Sequence, residues 1–108
     1  MKTITPGHKY ELANFENPSA PGQIIQFIEK VASEKSDGSG HSFLRTVNDG
    51  TTNEEVLKML IDRMQVLTAK VPSRESSITI TKLEEALHWL TARTIARRAR
   101  DVEGTDAP

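Results

Sequence analysis

Apolar residues in the second half of the chain recur with helical spacing, whereas those in the first half do not. Leu57, Leu60, Met64, Leu67 and Val71 are spaced 3-4-3-4, which predicts an amphipathic helix with a narrow, coiled-coil-like seam. Thr51 with Glu54, or Thr52 with Glu55, has the capping-box spacing that opens such a helix, and Pro72 closes it. A second helix is predicted from near Ser73 towards Arg100, with its seam at Ile80, Leu83, Leu87 and Leu90, in register with Thr94 and Arg97. The stretch Ile78-Thr79-Ile80-Thr81 is β-branched and prefers strand locally, but Ile80 shares the helical spacing of Leu83, Leu87 and Leu90. So short a link between the two helices predicts an antiparallel hairpin.

The N-terminal half reads as strands. His8 to Phe15 and Gln23 to Ala32 carry strand-favouring residues around the turn-rich Asn17-Pro18-Ser19-Ala20-Pro21-Gly22, and a third short strand is expected from Ser42 to Val47. Ser33 to Gly40 holds no large apolar residue and reads as a flexible loop or hairpin tip. The expected fold class is therefore α+β: short antiparallel strands over 1–50 with a flexible loop at 33–42, a helical hairpin over 51–104, and a loose tail at 105–108. One domain is expected overall. Three short strands and two helices make a poor private core, so burial against other copies of the chain is expected.

Composition narrows the function. The 108 residues carry a net charge of −1, which gives the whole molecule no polyelectrolyte attraction to nucleic acid or anionic lipid. There is no cysteine, so disulfides, thiolate zinc sites and cysteine nucleophiles are all excluded. The N-terminus lacks the apolar core of a signal peptide, and no apolar run is long enough to span a membrane, so a cytoplasmic protein is expected. His8, His41 and His88 are scattered without metal-ligand spacing, and no glycine-rich phosphate loop is present. No catalytic residue and no metal or other cofactor is expected. Glu84 and Glu85 are adjacent on a helix and diverge by about 100°, which suits a solvated face better than an acid–base pair.

Charge placement is the informative feature. From Ala86 to Arg100 there are four arginines and no carboxylate, +4 locally against −5 for the rest of the chain. Arg93 and Arg97 are one turn apart and Arg100 one further, a stripe whose guanidinium forks match phosphate oxygens. The competing explanation is that basic residues favour a helix C-terminus through the macrodipole. Arg74, in the first turn of the second helix beside free backbone N–H groups, forms a second candidate with Thr81, seven residues on. An exposed arginine near a packed threonine is the commoner meaning of such a pair. Trp89, beside Leu90, suits a core or interface better than a nucleobase platform.

Several segments together resemble a known family. Asn48 to Leu57, Ile80 to Leu87 with Trp89, Arg93-Thr94, and Val102-Glu103-Gly104-Thr105 are similar to the phage immune-evasion sponge proteins of the Thoeris anti-defence and anti-CBASS types. Tyr10-Glu11-Leu12 and Gln26 to Lys30 resemble the first Thoeris anti-defence type in particular. The resemblance implies a non-enzymatic protein that sequesters glycocyclic ADP-ribose isomers, and also cyclic trinucleotides such as cyclic triadenylate, in the cytoplasm of an infected bacterium. It implies a homo-oligomer, with a hexamer expected, and neither a membrane nor a nucleic-acid polymer as partner. By position, the signal pocket falls on Arg93, Arg97 and Thr94, with Ser76 and Val66 where relatives carry an asparagine and an aromatic. The trinucleotide pocket falls on Arg74 and Thr81. Tyr10, Phe15 and Phe43 are candidates for walls around the adenine. The alternatives are a small nucleic-acid-binding regulator using the arginine stripe and an enzyme that degrades cyclic nucleotides.

Overall fold

The computed structural model describes residues 1–108, which divide into two compact units, Met1–Thr52 and Asn53–Pro108. The first unit is all strand. β1 (Lys2–Thr5), β2 (Lys9–Leu12) and β3 (Gln23–Gln26) form an antiparallel sheet in the order β1-β2-β3, while β4 (Glu29–Ser36) and β5 (Ser42–Asn48) form a separate antiparallel pair. The second unit is a hairpin of α1 (Asn53–Lys70) and α2 (Arg74–Ala99). The architecture is α+β, as the pattern predicts.

Within the strand unit the differences from expectation are local. β1 is a strand the pattern does not show, because four residues before Pro6-Gly7 are too few to display alternation; it is held by pairing Thr3 with Tyr10. The single strand expected over 23–32 is broken at Phe27-Ile28, and its halves join different sheets. At the break, Phe27 forms a parallel bridge with Thr51: the Thr51 N–H donates to Gln26 O at 2.8 Å and Ile28 N–H to Thr51 O at 2.9 Å. Gly50 permits this approach, since any Cβ there would collide with the Gln26 and Phe27 backbone.

The loop expected at 33–42 is mostly hairpin. β4 continues through Ser36, which pairs with Ser42, and only Asp37 to His41 turn. Strand pairing joins backbone groups, so a polar stretch can extend a hairpin as long as the tip closes. Asp37 closes it by accepting from the Ser39 N–H at 2.9 Å and the Ser39 hydroxyl at 2.6 Å, with Gly38 and Gly40 at positive φ. Those bonds, the hydroxyl's first, hold the Asp37 carboxyl below its usual range.

In the hairpin unit, Ser73 caps α2, its hydroxyl accepting from the Ser76 N–H at 3.0 Å. The β-branched stretch is helical, and Thr79 and Thr81 donate their hydroxyls back to Glu75 O at 2.8 Å and Ser77 O at 3.2 Å. The α2 seam is the expected one: Ile80, Leu83, Leu87, Leu90 and Thr94 are half-buried and Arg97 is buried. On α1 the inward face is rotated. Leu57, Ile61, Met64 and Thr68 face α2, while Leu60, Leu67 and Val71 lie 37%, 42% and 76% exposed. The 3-4 pattern therefore straddles two faces, one facing α2 and one bare. Neither helix is long and apolar enough to cross a membrane.

The tail is not loose. Thr105 and Ala107 are buried, because residues 102–107 wrap around the Arg97 side chain. Sequence composition at 105–108 carries no sign of this, since the partners are backbone carbonyls.

Candidate functional site

Two surfaces distinguish the hairpin's broad sides. One side is a cleft of about 480 Å³, floored by Ile61 and Leu87 and edged by Lys58, Asp62, Gln65, Glu84, His88 and Thr91. Its charges are mixed, and none of the expected site residues lines it. No group of three His, Asp or Glu side chains in the chain is placed to hold a metal ion. Residues 58–65 of α1 and 84–91 of α2 line this cleft together, which sets the level of one antiparallel helix against the other.

Helical periodicity places Val56, Leu60, Arg63 and Leu67 of α1, with Thr79, Lys82, Ala86 and Arg93 of α2, on the opposite side. This side combines exposed apolar surface with three cations, and its one carboxylate on α2, Glu75, lies about five turns before Arg93 at the other end of the helix. Arg93 is exposed on it. Arg63 and Lys82 share that side, Lys82 about 16 Å from Arg93 along α2 and beside Thr81, and sequence reasoning passed over both. The charge run at 86–100 is visible in one dimension, but the contribution of Arg63 depends on how α1 pairs with α2. Lys82 has a loose partner in Glu85 at 3.7 Å, both side chains being mostly exposed, so that pair contributes little.

The expected residues on α2 separate into two groups within one chain. Arg74, Ser76 and Thr81 lie towards the loop end of α2, and Val66, beside Gln65 of the cleft, is 51% exposed. Arg93 and Thr94 lie near the other end. Seventeen residues separate Ser76 from Arg93, which at 1.5 Å per residue is roughly 25 Å along α2. A single chain therefore does not bring Ser76 to Arg93 and groups it with Arg74, whereas Val66, next to Gln65 of the cleft, sits midway along the hairpin near the level of Glu84.

Local chemistry differs at each position. Arg74 is exposed on the first turn. Ser76 accepts from the Ser73 hydroxyl at 2.8 Å, which leaves its own hydroxyl hydrogen free to donate. The Thr81 proton is already given to Ser77 O, so towards a ligand that hydroxyl is an acceptor unless it swaps partners. None of the hairpin's ion pairs, Lys58–Glu55, Lys82–Glu85 and Arg97–Glu103, engages Arg74 or Arg93.

Arg97 departs from the expected stripe. It is 6% exposed and its guanidinium is spent inside the chain: Nε donates to Glu103 Oε2 at 3.2 Å, Nη1 to Ala107 O at 2.7 Å, and Nη2 to Val102 O at 2.9 Å and Thr105 O at 3.1 Å. Its place on the α2 seam explains the burial: Arg93 sits about 40° further round the helix and stays outside. Arg98 and Arg100 are exposed.

The aromatic candidates also divide. Tyr10 is committed to Phe27, edge to face at 6.1 Å, whereas Phe15 is 99% and Phe43 46% exposed. Trp89 is 66% exposed, outside the hairpin's own core, with its ring edge to face with that of His88 at 5.5 Å.

Residues 26–94 match the family model described as the Acb2/Tad1 hairpin domain, well over half of the chain. The match takes in β4, β5, α1 and most of α2 and stops before Arg97. Over 58 residues the chain is 47% identical to a protein of Bacillus phage SBSphiJ7 named Thoeris anti-defense 1, covering 53% of this chain and 41% of that protein. The matched segment thus spans well under half the length of that curated relative.

Proposed function

Since the chain belongs to the Acb2/Tad1 hairpin-domain family, we propose that it is a phage anti-defence sponge. In this reading it binds cyclic nucleotide immune signals in the host cytoplasm and withholds them from their effector without altering them. The observation that carries the reading is the pair of exposed arginines, Arg74 and Arg93, at opposite ends of α2 and outside the hairpin's ion pairs. A guanidinium without a carboxylate partner is a ready phosphate contact, and two of them roughly 28 Å apart on one helix serve two ligands rather than one.

At the Arg93 end the ligand is a glycocyclic ADP-ribose isomer. Its pyrophosphate meets Arg93 and the Thr94 hydroxyl, with Arg63 on the same side adding positive potential. Ser76 contributes only from a second chain, given its distance along the helix, and Val66 supplies an apolar face, so the pocket is completed between copies. Val66 offers a smaller apolar face than an aromatic would. Arg97, carried over from the family as a direct contact, is engaged with the tail and is not counted among the contacts.

At the Arg74 end the ligand is a cyclic trinucleotide such as cyclic triadenylate. Three copies around a three-fold axis supply three guanidinium groups for three phosphates, each beside the free N–H groups of a helix N-terminus. Thr81 accepts from a base or ribose donor. Both pockets together require a closed assembly containing two-fold and three-fold contacts, and a hexamer is the smallest that has both.

Calorimetry with both ligands tests this. Arg74→Ala should weaken cyclic triadenylate by about 1.5–3 kcal/mol per contact, roughly tenfold or more, and leave the ADP-ribose signal untouched. Arg93→Ala should do the reverse. Loss of both ligands in either variant, or of neither, contradicts the two-site reading.

A further inference from the structure

Arg97 is the most buried charged side chain of the chain, and nothing in the sponge reading uses it. Four hydrogen bonds leave its three nitrogens, three of them to main-chain carbonyls of residues 102–107. The strap that supplies those carbonyls is built to do so. Asp101 and Gly104 adopt positive φ, 55° and 84°, which turns the chain back on itself just after α2. The Thr105 hydroxyl donates to Val102 O at 2.6 Å and accepts from the Ala107 N–H at 3.2 Å, so the loop is also tied internally. Val102 N–H returns to Arg97 O at 3.1 Å, which closes the strap at both ends of the same residue.

Burying a guanidinium carries a desolvation cost that its hydrogen bonds must offset. Glu103 is its one bonded counter-charge and is itself 42% exposed. A lysine or a leucine would fill the seam position at lower cost. What arginine alone supplies is a planar fork that holds carbonyls from three separate strap residues at once. The strap ends up against the Arg97 side of α2, one helical turn from exposed Arg93.

We propose that Arg97 is a positioning residue for the Arg93 signal site: it latches residues 102–107 beside Arg93, and the latched strap, not the Arg97 guanidinium, borders the bound ligand. This rests on the sponge reading for the identity of the ligand. The latch itself does not.

The test is a cycle in the full chain. Gly104→Val forces a branched side chain into a left-handed backbone position where there is open space around the Cβ, so it opens the strap without touching Arg97. Arg97→Ala removes the latch, Arg97→Lys keeps the charge without the fork, and the double variant combines Arg97→Ala with Gly104→Val. Amide exchange of Val102, Thr105 and Ala107 reports the strap, and retention of glycocyclic ADP-ribose reports the site. All four variants should lose amide protection. Each single variant should retain the signal at least about tenfold less well, and the double variant no worse than either, because residues acting through one element are not additive. Losses that multiply in the double variant, or full retention in Gly104→Val with an open strap, would show that Arg97 meets the ligand itself or that the strap is irrelevant; either overturns the proposal. Unchanged exchange in Arg97→Ala overturns the latch. A wild type that retains no signal defeats the functional reading, and the exchange results alone then decide the latch.

Discussion

Arg97 shows how much a single residue's meaning depends on where its helix faces. By spacing it is the twin of Arg93; by position on the α2 seam it is an interior residue, and its fork binds carbonyls instead of phosphate. Thr68 is the reverse case, a polar residue on the α1 seam whose buried Oγ1 has no hydrogen-bond partner. A buried hydroxyl left unmade costs about 1–3 kcal/mol. Thr68→Val keeps the shape and removes the unmet group, so thermal unfolding should rise by a few degrees, corresponding to roughly 0.5–1 kcal/mol. A lower melting temperature would mean that the hydroxyl is satisfied in the assembled protein. The candidate site is partly legible at this scale. Arg93 stands out in one dimension because no carboxylate lies between Ala86 and Arg100, and Arg74 because it opens the second helix. The burial of Arg97 is not legible, because the carbonyls it binds belong to any sequence.

At the scale of elements, helices read well from sequence and strands poorly, for a physical reason. The bounds of α2 rest on a cap, Ser73, and a long uninterrupted seam, both of which are local. The inward face of α1 is ambiguous because apolar residues occupy more than one stripe, and only the partner helix decides which turns inward. The strands depend on pairing between residues far apart, as where Phe27 meets Thr51 and splits an otherwise continuous apolar run. Gly50 carries that junction. Gly50→Ala would drive a methyl into the Gln26 backbone, and the bridge between Gln26 and Thr51 should break. The expected cost is about 1–3 kcal/mol, seen as a lowered melting temperature and as exchange of the Thr51 and Ile28 amides. Retained protection of both amides would show that the chain can shift there without penalty.

Across the whole molecule, what is missing is a core. No large side chain is fully buried, and the only buried apolar residue is Ala107. In the hairpin alone Met59, Leu60, Val66, Leu67, Val71, Ile78, Trp89 and Ile95 remain exposed. Isolated apolar residues on a surface are ordinary, but stripes of them along both helices mark surfaces that other chains cover. Light scattering at micromolar concentration should therefore give a closed oligomer, six copies by the two-site argument, and a monomer would contradict it.

The central claim is that the protein holds a signal and does nothing to it. Purified protein is incubated with glycocyclic ADP-ribose, freed of unbound ligand and heat-denatured. The released material is then identified by mass spectrometry and offered to the signal's effector. The account predicts an intact cyclic ligand, released in proportion to the protein, that switches the effector on. Linearised or hydrolysed product would make the protein an enzyme, and no ligand at all would leave it without the function proposed for it.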